Sequence, residues 1–219
     1  MPLELEPLES ERRDKIDWGA FFRGAWRTVR RAPQTVVANL VTLAGVLFFG
    51  WSAMAVFLMF IAENVIVLAV TCVGLAIRDD VPWARRIGEA CVAFVWGGIF
   101  CGGQLTFVIV LFGEKEFARI NSGGPFTDVA AYMASYDLGW PIAILAAAHA
   151  WRLVQRVRRD GGIGDSDVIP FFRIFATTIF LFLSVASMML LQTRAWALVI
   201  LVLVKTALDI TMERLFGNA

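Results

Sequence analysis

The stretch FLMFIAENVIVLAV, residues 57–70, decides the fold. It is apolar almost throughout, yet Glu63 and Asn64 sit in its middle. Extended to its natural limits it covers residues 52–77, which exceeds the ~20 helical residues that cross a bilayer core. An acid and an amide at the centre of such a helix are expensive to place in hydrocarbon, so they are expected to face inward.

Outward from this block, the chain divides into six apolar stretches, near 35–50, 52–77, 87–112, 138–155, 168–191 and 194–213. The first two are parted only by Gly50, Trp51 and Ser52 and should form a tight helical hairpin. The 219 residues are 58% hydrophobic, against about 45–50% in ordinary soluble domains. The excess falls in long blocks with no strand-like alternation, which favours helices over a membrane barrel. The expected architecture is all-α. A polar tail over 1–14 leads to an amphipathic interfacial helix over 15–33. A six-helix membrane domain over 34–214 follows, with a short tail over 215–219.

Fifteen of the twenty basic residues fall on the side holding both termini and three on the other, the remaining two lying within spans. By the positive-inside rule that side is cytoplasmic. Trp51, Trp140 and Trp196 mark the opposite ends of spans, and Trp83 and Trp151 the cytoplasmic ends, as an aromatic belt would. Net charge is +1, which gives no field for nucleic acid. Cys72, Cys91 and Cys101 all lie in apolar blocks without CxxC spacing and read as buried thiols.

Ahead of the first block, Trp18 and Trp26 recur at helical spacing with Phe21 and Phe22, among Arg23, Arg27, Arg30 and Arg31. This pattern reads either as a helix on the cytoplasmic leaflet, its arginines meeting anionic lipid, or as a helix packed under the bundle. The loop at 113–137 reads either as a short helix over the outer mouth, capped by Thr127 or Asp128, or as a plain connection.

The informative side chains are those at membrane depth. Glu63 and Asn64 lie mid-span, as does Lys205, with Asp209 one turn further on the same face. Arg173 stands in the first turns of the fifth block. A charge at a helix centre costs about 2.5–3.5 kcal/mol on the lenient insertion scale. Two acids and two bases can neutralise one another, so Glu63, Lys205 and Asp209 are expected to meet. Arg173 either joins Asp209 or snorkels to the interface. Such a cluster is either a clasp that fixes helix register or a working site, such as a proton relay or a polar socket. Gln104 and His149 form a candidate secondary polar site. His149 is the only histidine. It provides no multi-histidine metal or haem site, and neither metal nor cofactor is expected. Gly97, Gly98, Gly102 and Gly103 crowd the third block with GxxxG spacing. They suit close helix packing, within the chain or with a partner copy, or room for a bound lipid or quinone.

Several segments together resemble domain-of-unknown-function family 6498, an uncharacterised family of prokaryotic polytopic membrane proteins. GWSAMAVFLMFIAENVIVL (50–68) is similar to its tryptophan- and acid-containing segment. FVWGGIFCGGQLTFVIVLFG (94–113) is similar to its glycine- and aromatic-rich segment. AAAHAWRLV (146–154), PFFRIFATTI (170–179) and LVLVKTALD (201–209) resemble its Ser-His, Pro-Tyr-x-Arg and Lys-Thr-x-x-Asp segments. The resemblance places Glu63, Asn64, Arg173, Lys205 and Asp209 at motif positions. It departs at Ile61, where an aromatic is expected, and at Gln104 and Thr177 or Thr178, where histidines are expected. It implies a multi-pass protein of the bacterial inner membrane with no assigned activity.

Three functions follow as expectations. The first is a non-enzymatic binding or scaffolding module, as an accessory subunit or homo-oligomer. The second is a small ion- or proton-coupled transporter using the cluster, with no inverted repeat to support it. The third is an intramembrane lipid-modifying enzyme, for which no nucleophile motif is present.

Overall fold

The computed structural model describes residues 33–113, 125–160, 174–180, 182–183 and 194–216. Every regular element among them is helical: α1 Pro33–Phe48, α2 Ala53–Ala76, α3 Trp83–Val108, α4 Pro125–Ser135, α5 Gly139–Asp160 and α6 Arg194–Phe216. Residues 174–180 are also helical. A wider π-helical turn, Ile109–Gly113, prolongs α3. The interfacial helix expected over 15–33, with Trp18, Arg23, Trp26, Arg27, Arg30 and Arg31, lies outside the described residues, as does Arg173.

α2 is the axis of the bundle. Its first half is buried on every side, from Met54 through Ile61. A helix that is apolar all round belongs in the middle of its neighbours. α2 accordingly packs against α1, α3, α5 and α6. Ser52 caps it, its Oγ accepting the Ala55 N–H at 3.3 Å, which satisfies one of the helix's free N-terminal donors.

The α1–α2 turn is tight for a specific reason. Gly50 takes a left-handed φ of +62°, a conformation open to glycine without steric cost. The chain then doubles back so that the Trp51 N–H reaches the Gly45 carbonyl at 3.1 Å. The Trp51 indole lies over Gly45, where an added Cβ would collide with the ring. Trp51 is therefore only 7% exposed. Its expected place in an aromatic belt is corrected: the missing side chain at Gly45 makes a slot that takes the ring inward. Beyond the turn α1 packs chiefly on α6 and only sparingly on α2.

α4 begins at Pro125, two residues before the expected caps. Proline suits the first helical position, where its missing N–H costs nothing. The helix ends in a Schellman motif. Asp137 is left-handed at φ 52°. Leu138 N–H bonds Met133 O at 2.9 Å, and Asp137 N–H bonds Ala134 O at 3.1 Å. The chain then turns by 95° into α5. Tyr132 of α4 is hydrogen-bonded to Ser52, which pins this short helix against the α1–α2 turn. Val129, Tyr132, Leu138 and Trp51 share one core cluster there.

At the opposite end, Arg78 closes the α2–α3 connection. Its guanidinium holds Asp80 through two bonds, of 2.5 and 2.8 Å, and reaches Glu89 at 3.4 Å. Arg86 pairs with Asp79 at 3.2 Å.

Two helices, Ala53–Ala76 and the run Trp83–Gly113, are long and apolar enough to cross a membrane, and the α4–α5 pair, bent by 95°, counts as a third only if it crosses as one broken span. Among the described residues the expectation of six spans is thus corrected to two or three. α1 falls short because it has 16 residues. At about 1.5 Å per residue it is roughly 24 Å long, against a hydrocarbon core of about 30 Å. Most of the fifth block, and the side chains at both ends of α6, lie outside the described residues.

A buried charge cluster as candidate functional site

Glu63 and Asn64 project from α2 into two different helix interfaces. Towards α6, Glu63 Oε2 accepts from Lys205 Nζ at 2.9 Å. Towards α3, Asn64 Nδ2 donates to Gln104 Oε1 at 3.0 Å. Residues adjacent on a helix are about 100° apart around its axis, which is how one dipeptide serves two neighbours.

Lys205 is the hub of the first interface. Its ammonium donates to Glu63, to Asp209 Oδ2 at 2.7 Å and to Asn39 Oδ1 at 3.4 Å. Asn39 in turn donates from Nδ2 to the same Asp209 oxygen at 3.2 Å. The Phe60 ring lies under the ammonium, 5.1 Å from its centroid, within reach of a cation–π attraction. All four polar residues are buried, none more than 6% exposed. The Lys205–Asp209 contact is an i to i+4 pair, so helical spacing alone sets it. The other contacts join α1 and α2 to α6 across 166 and 142 residues of chain.

The second interface is a relay of neutral groups. Gln104 Nε2 donates to Thr178 Oγ1, and that hydroxyl donates to Ile174 O at 2.8 Å. Asn64 and Gln104 are both buried. The candidate secondary pair therefore separates by partner: Gln104 works with Asn64 and Thr178, while His149 is buried on α5. Thr177, another position where the resemblance expected histidine, is buried too.

Asn39, Glu63 and Lys205, with Gln104 joined through Asn64, share one level. Asn39 stands nine residues before the end of α1 at Phe48, and Glu63 ten after the start of α2 at Ala53. Gln104 stands nine before Gly113, His149 ten after Gly139 and Lys205 eleven after Arg194. Each is thus about 14–17 Å from that end of its helix.

The four glycines of α3 do not share a face. Gly97 lies against α2, where an added Cβ would meet the Leu68 side chain. Gly98, Gly102 and Gly103 face open space. The buried stripe of α3 is Ala93, Gly97, Cys101, Gln104 and Val108. Small residues along it admit α2 closely.

Sequence reasoning missed Asn39, which ties α1 into the cluster. The signal was its depth, equal to that of Glu63 when both are counted from the hairpin turn. Chemically, two carboxylates, an ammonium and a carboxamide at one point can fix helix register and can exchange a proton or a cation. Among the described residues no three His, Cys, Asp or Glu side chains lie together as a metal site.

No curated protein and no solved structure matches the chain. A family model does, over residues 27–216, and with most of the chain inside that match the protein belongs to DUF6498, a family of unknown function.

Proposed function

We propose that this protein is a multi-pass membrane module with a binding or scaffolding role and no enzymatic one, and that the Glu63–Lys205–Asp209–Asn39 cluster is the clasp holding its helices in register. The full reading is a multi-pass protein of a bacterial inner membrane, with both termini cytoplasmic. The distribution of basic residues and the apolar length of α2 and α3 support it, through the positive-inside rule and the length a span requires. The observation that carries the clasp is the Lys205 ammonium, buried between acids supplied by its own helix and by α2, with α1 tied in through Asn39.

Breaking one member of a buried pair leaves the other uncompensated, at a cost of about 3–5 kcal/mol. Glu63→Gln and Lys205→Met should each lower thermal stability in detergent strongly. Their combination should cost less than the two added together. Strict additivity would remove the clasp. Purification from native membranes followed by mass spectrometry should return co-purifying protein, and a clean monomer would count against the scaffold.

A proton-coupled carrier is the second reading, favoured by ionisable groups at half depth. It requires Glu63→Gln to fold normally while losing proton-driven uptake in liposomes.

A further inference from the structure

Leu47 and Phe48 end α1 and Phe49 follows at once, three consecutive large apolar side chains, all exposed, with Phe48 at 79% and Phe49 at 74%. Gly50 turns immediately after them, and the next residue, Trp51, is taken into the core. Trp140, in the first turn of α5, is 78% exposed at the same end, beside Leu138 of the Trp51 core cluster. The protein thus sorts its aromatics at this end: Trp51 and Tyr132 are buried, and Phe48, Phe49 and Trp140 are presented outward.

The height of these rings identifies what they meet. Phe48 is nine residues beyond Asn39, and Trp140 nine before His149. Phe48 therefore stands about 14 Å along α1 from the cluster residue Asn39, and Trp140 about 14 Å along α5 from the buried His149. Half the thickness of a bilayer hydrocarbon core is about 15 Å. With the buried cluster at mid-membrane, the rings fall at the boundary between acyl chains and headgroups, the level that Trp favours and at which the Phe and Leu faces of interfacial helices are buried. α4 agrees with this placement. It meets α5 at 95°, so it runs in the membrane plane when α5 runs through it, and Tyr132 pins it to Ser52 at the same height.

We propose that Leu47, Phe48, Phe49 and Trp140 form a lipid-interface anchor that seats in the outer leaflet between headgroups and acyl chains. This anchor fixes the depth of the Glu63–Lys205 cluster. The inference rests on the membrane reading above. The occupant is phospholipid because the exposed apolar surface is continuous in level with the start of the α2 span, and because its height matches the half-thickness of a bilayer.

The test uses the full chain with Cys72, Cys91 and Cys101 replaced by alanine. Single cysteines at Phe48→Cys, Phe49→Cys and Trp140→Cys carry an environment-sensitive fluorophore. Val65→Cys serves as the span control. Val65 is exposed and lies about 18 Å along α2 from its start. Each variant is placed in phosphatidylcholine vesicles brominated either near the glycerol or near the chain ends. The three anchor labels should be quenched most by the shallow bromines and shielded severalfold from aqueous iodide. The Val65 label should be quenched most by the deep ones. Free access of iodide to the anchor labels, with Val65 still quenched by lipid, would overturn the anchor and leave the membrane reading standing. Energy transfer between anchor labels on two copies would overturn it in favour of self-association. Loss of lipid quenching at Val65 as well would overturn both.

Discussion

Glu63 and Asn64 are joined by one peptide bond and belong to two separate hydrogen-bonded systems, Glu63 to the charges of α6 and Asn64 to Gln104 of α3. The pair therefore ties α2 to two neighbours at one level, and the two ties differ in strength in ways that single substitutions expose.

Asn39 is the uncharged member of the cluster and joins α1 to it. Asn39→Ala removes a donor to Asp209 and an acceptor for Lys205, both buried. A loss of about 1–3 kcal/mol is expected, the usual cost of leaving buried polar partners unsatisfied. Asn39→Asp should be worse, since it sets a third carboxyl against Asp209. Thermal unfolding of the two variants side by side checks the order.

The neutral relay should matter less. Hydrogen bonds between membrane helices average about 0.6 kcal/mol in double-mutant cycles. The Asn64→Leu and Gln104→Leu cycle should therefore give a coupling well below that of Glu63 and Lys205. An Asn64–Gln104 coupling as large as the ionic one would mean that the neutral interface also holds the register.

The glycines give a graded series. Gly45→Ala places a methyl against the rigid Trp51 indole and should cost the most, about 1–3 kcal/mol as overpacking does. Gly97→Ala meets the movable end of Leu68 and should cost less. Gly102→Ala enters open space and should be neutral, or stabilising by up to about 1 kcal/mol through helix propensity. A Gly102→Ala variant that loses an oligomer would reveal a partner on that face.

Ser52 does two things and Tyr132 is concerned with one of them. Ser52→Ala deletes both the α2 cap and the contact with Tyr132. Tyr132→Phe deletes only the contact. The first should cost more by the value of a cap, about 0.5–2 kcal/mol. Equal losses would show that the cap contributes little.

Acid should loosen the α2–α3 connection at a definite place. The Arg78 guanidinium, by hydrogen bonding and charge, holds the Asp80 carboxyl down at about 2. A depressed carboxyl stabilises the fold above its ordinary value near 4, and that contribution disappears as pH falls through about 2. Stability profiles of the wild type and Asp80→Asn should differ above pH ~4 and converge below pH ~2.

Depth along a helix is legible in a sequence, and direction around it only partly so. Glu63 and Lys205 can be paired from the residues alone, because opposite charges at half depth in apolar helices need each other. Asn39 escapes that logic because an uncharged amide in a 16-residue helix raises no such demand. The division between Gly97 and Gly98 is readable in principle from the stripe of Ala93, Cys101, Gln104 and Val108, whose spacing runs through Gly97 alone. Trp51 departs from its expected place because its position depends on a void at Gly45, near the end of the preceding helix, which no periodicity records.

The nine-to-eleven-residue distance from helix end to polar side chain makes the hairpin-side halves of five helices a set of matched measuring lengths. One residue inserted between Ala53 and Glu63 moves the carboxylate by about 1.5 Å and swings it by about 100°, away from Lys205 and towards the neutral Gln104 of α3. The opposite halves carry no such reference point: α1 begins six residues before Asn39, whereas α2 runs thirteen past Glu63. Evolutionary gaps and insertions should therefore gather on that side and in the loops, and be absent between the hairpin ends and the polar level.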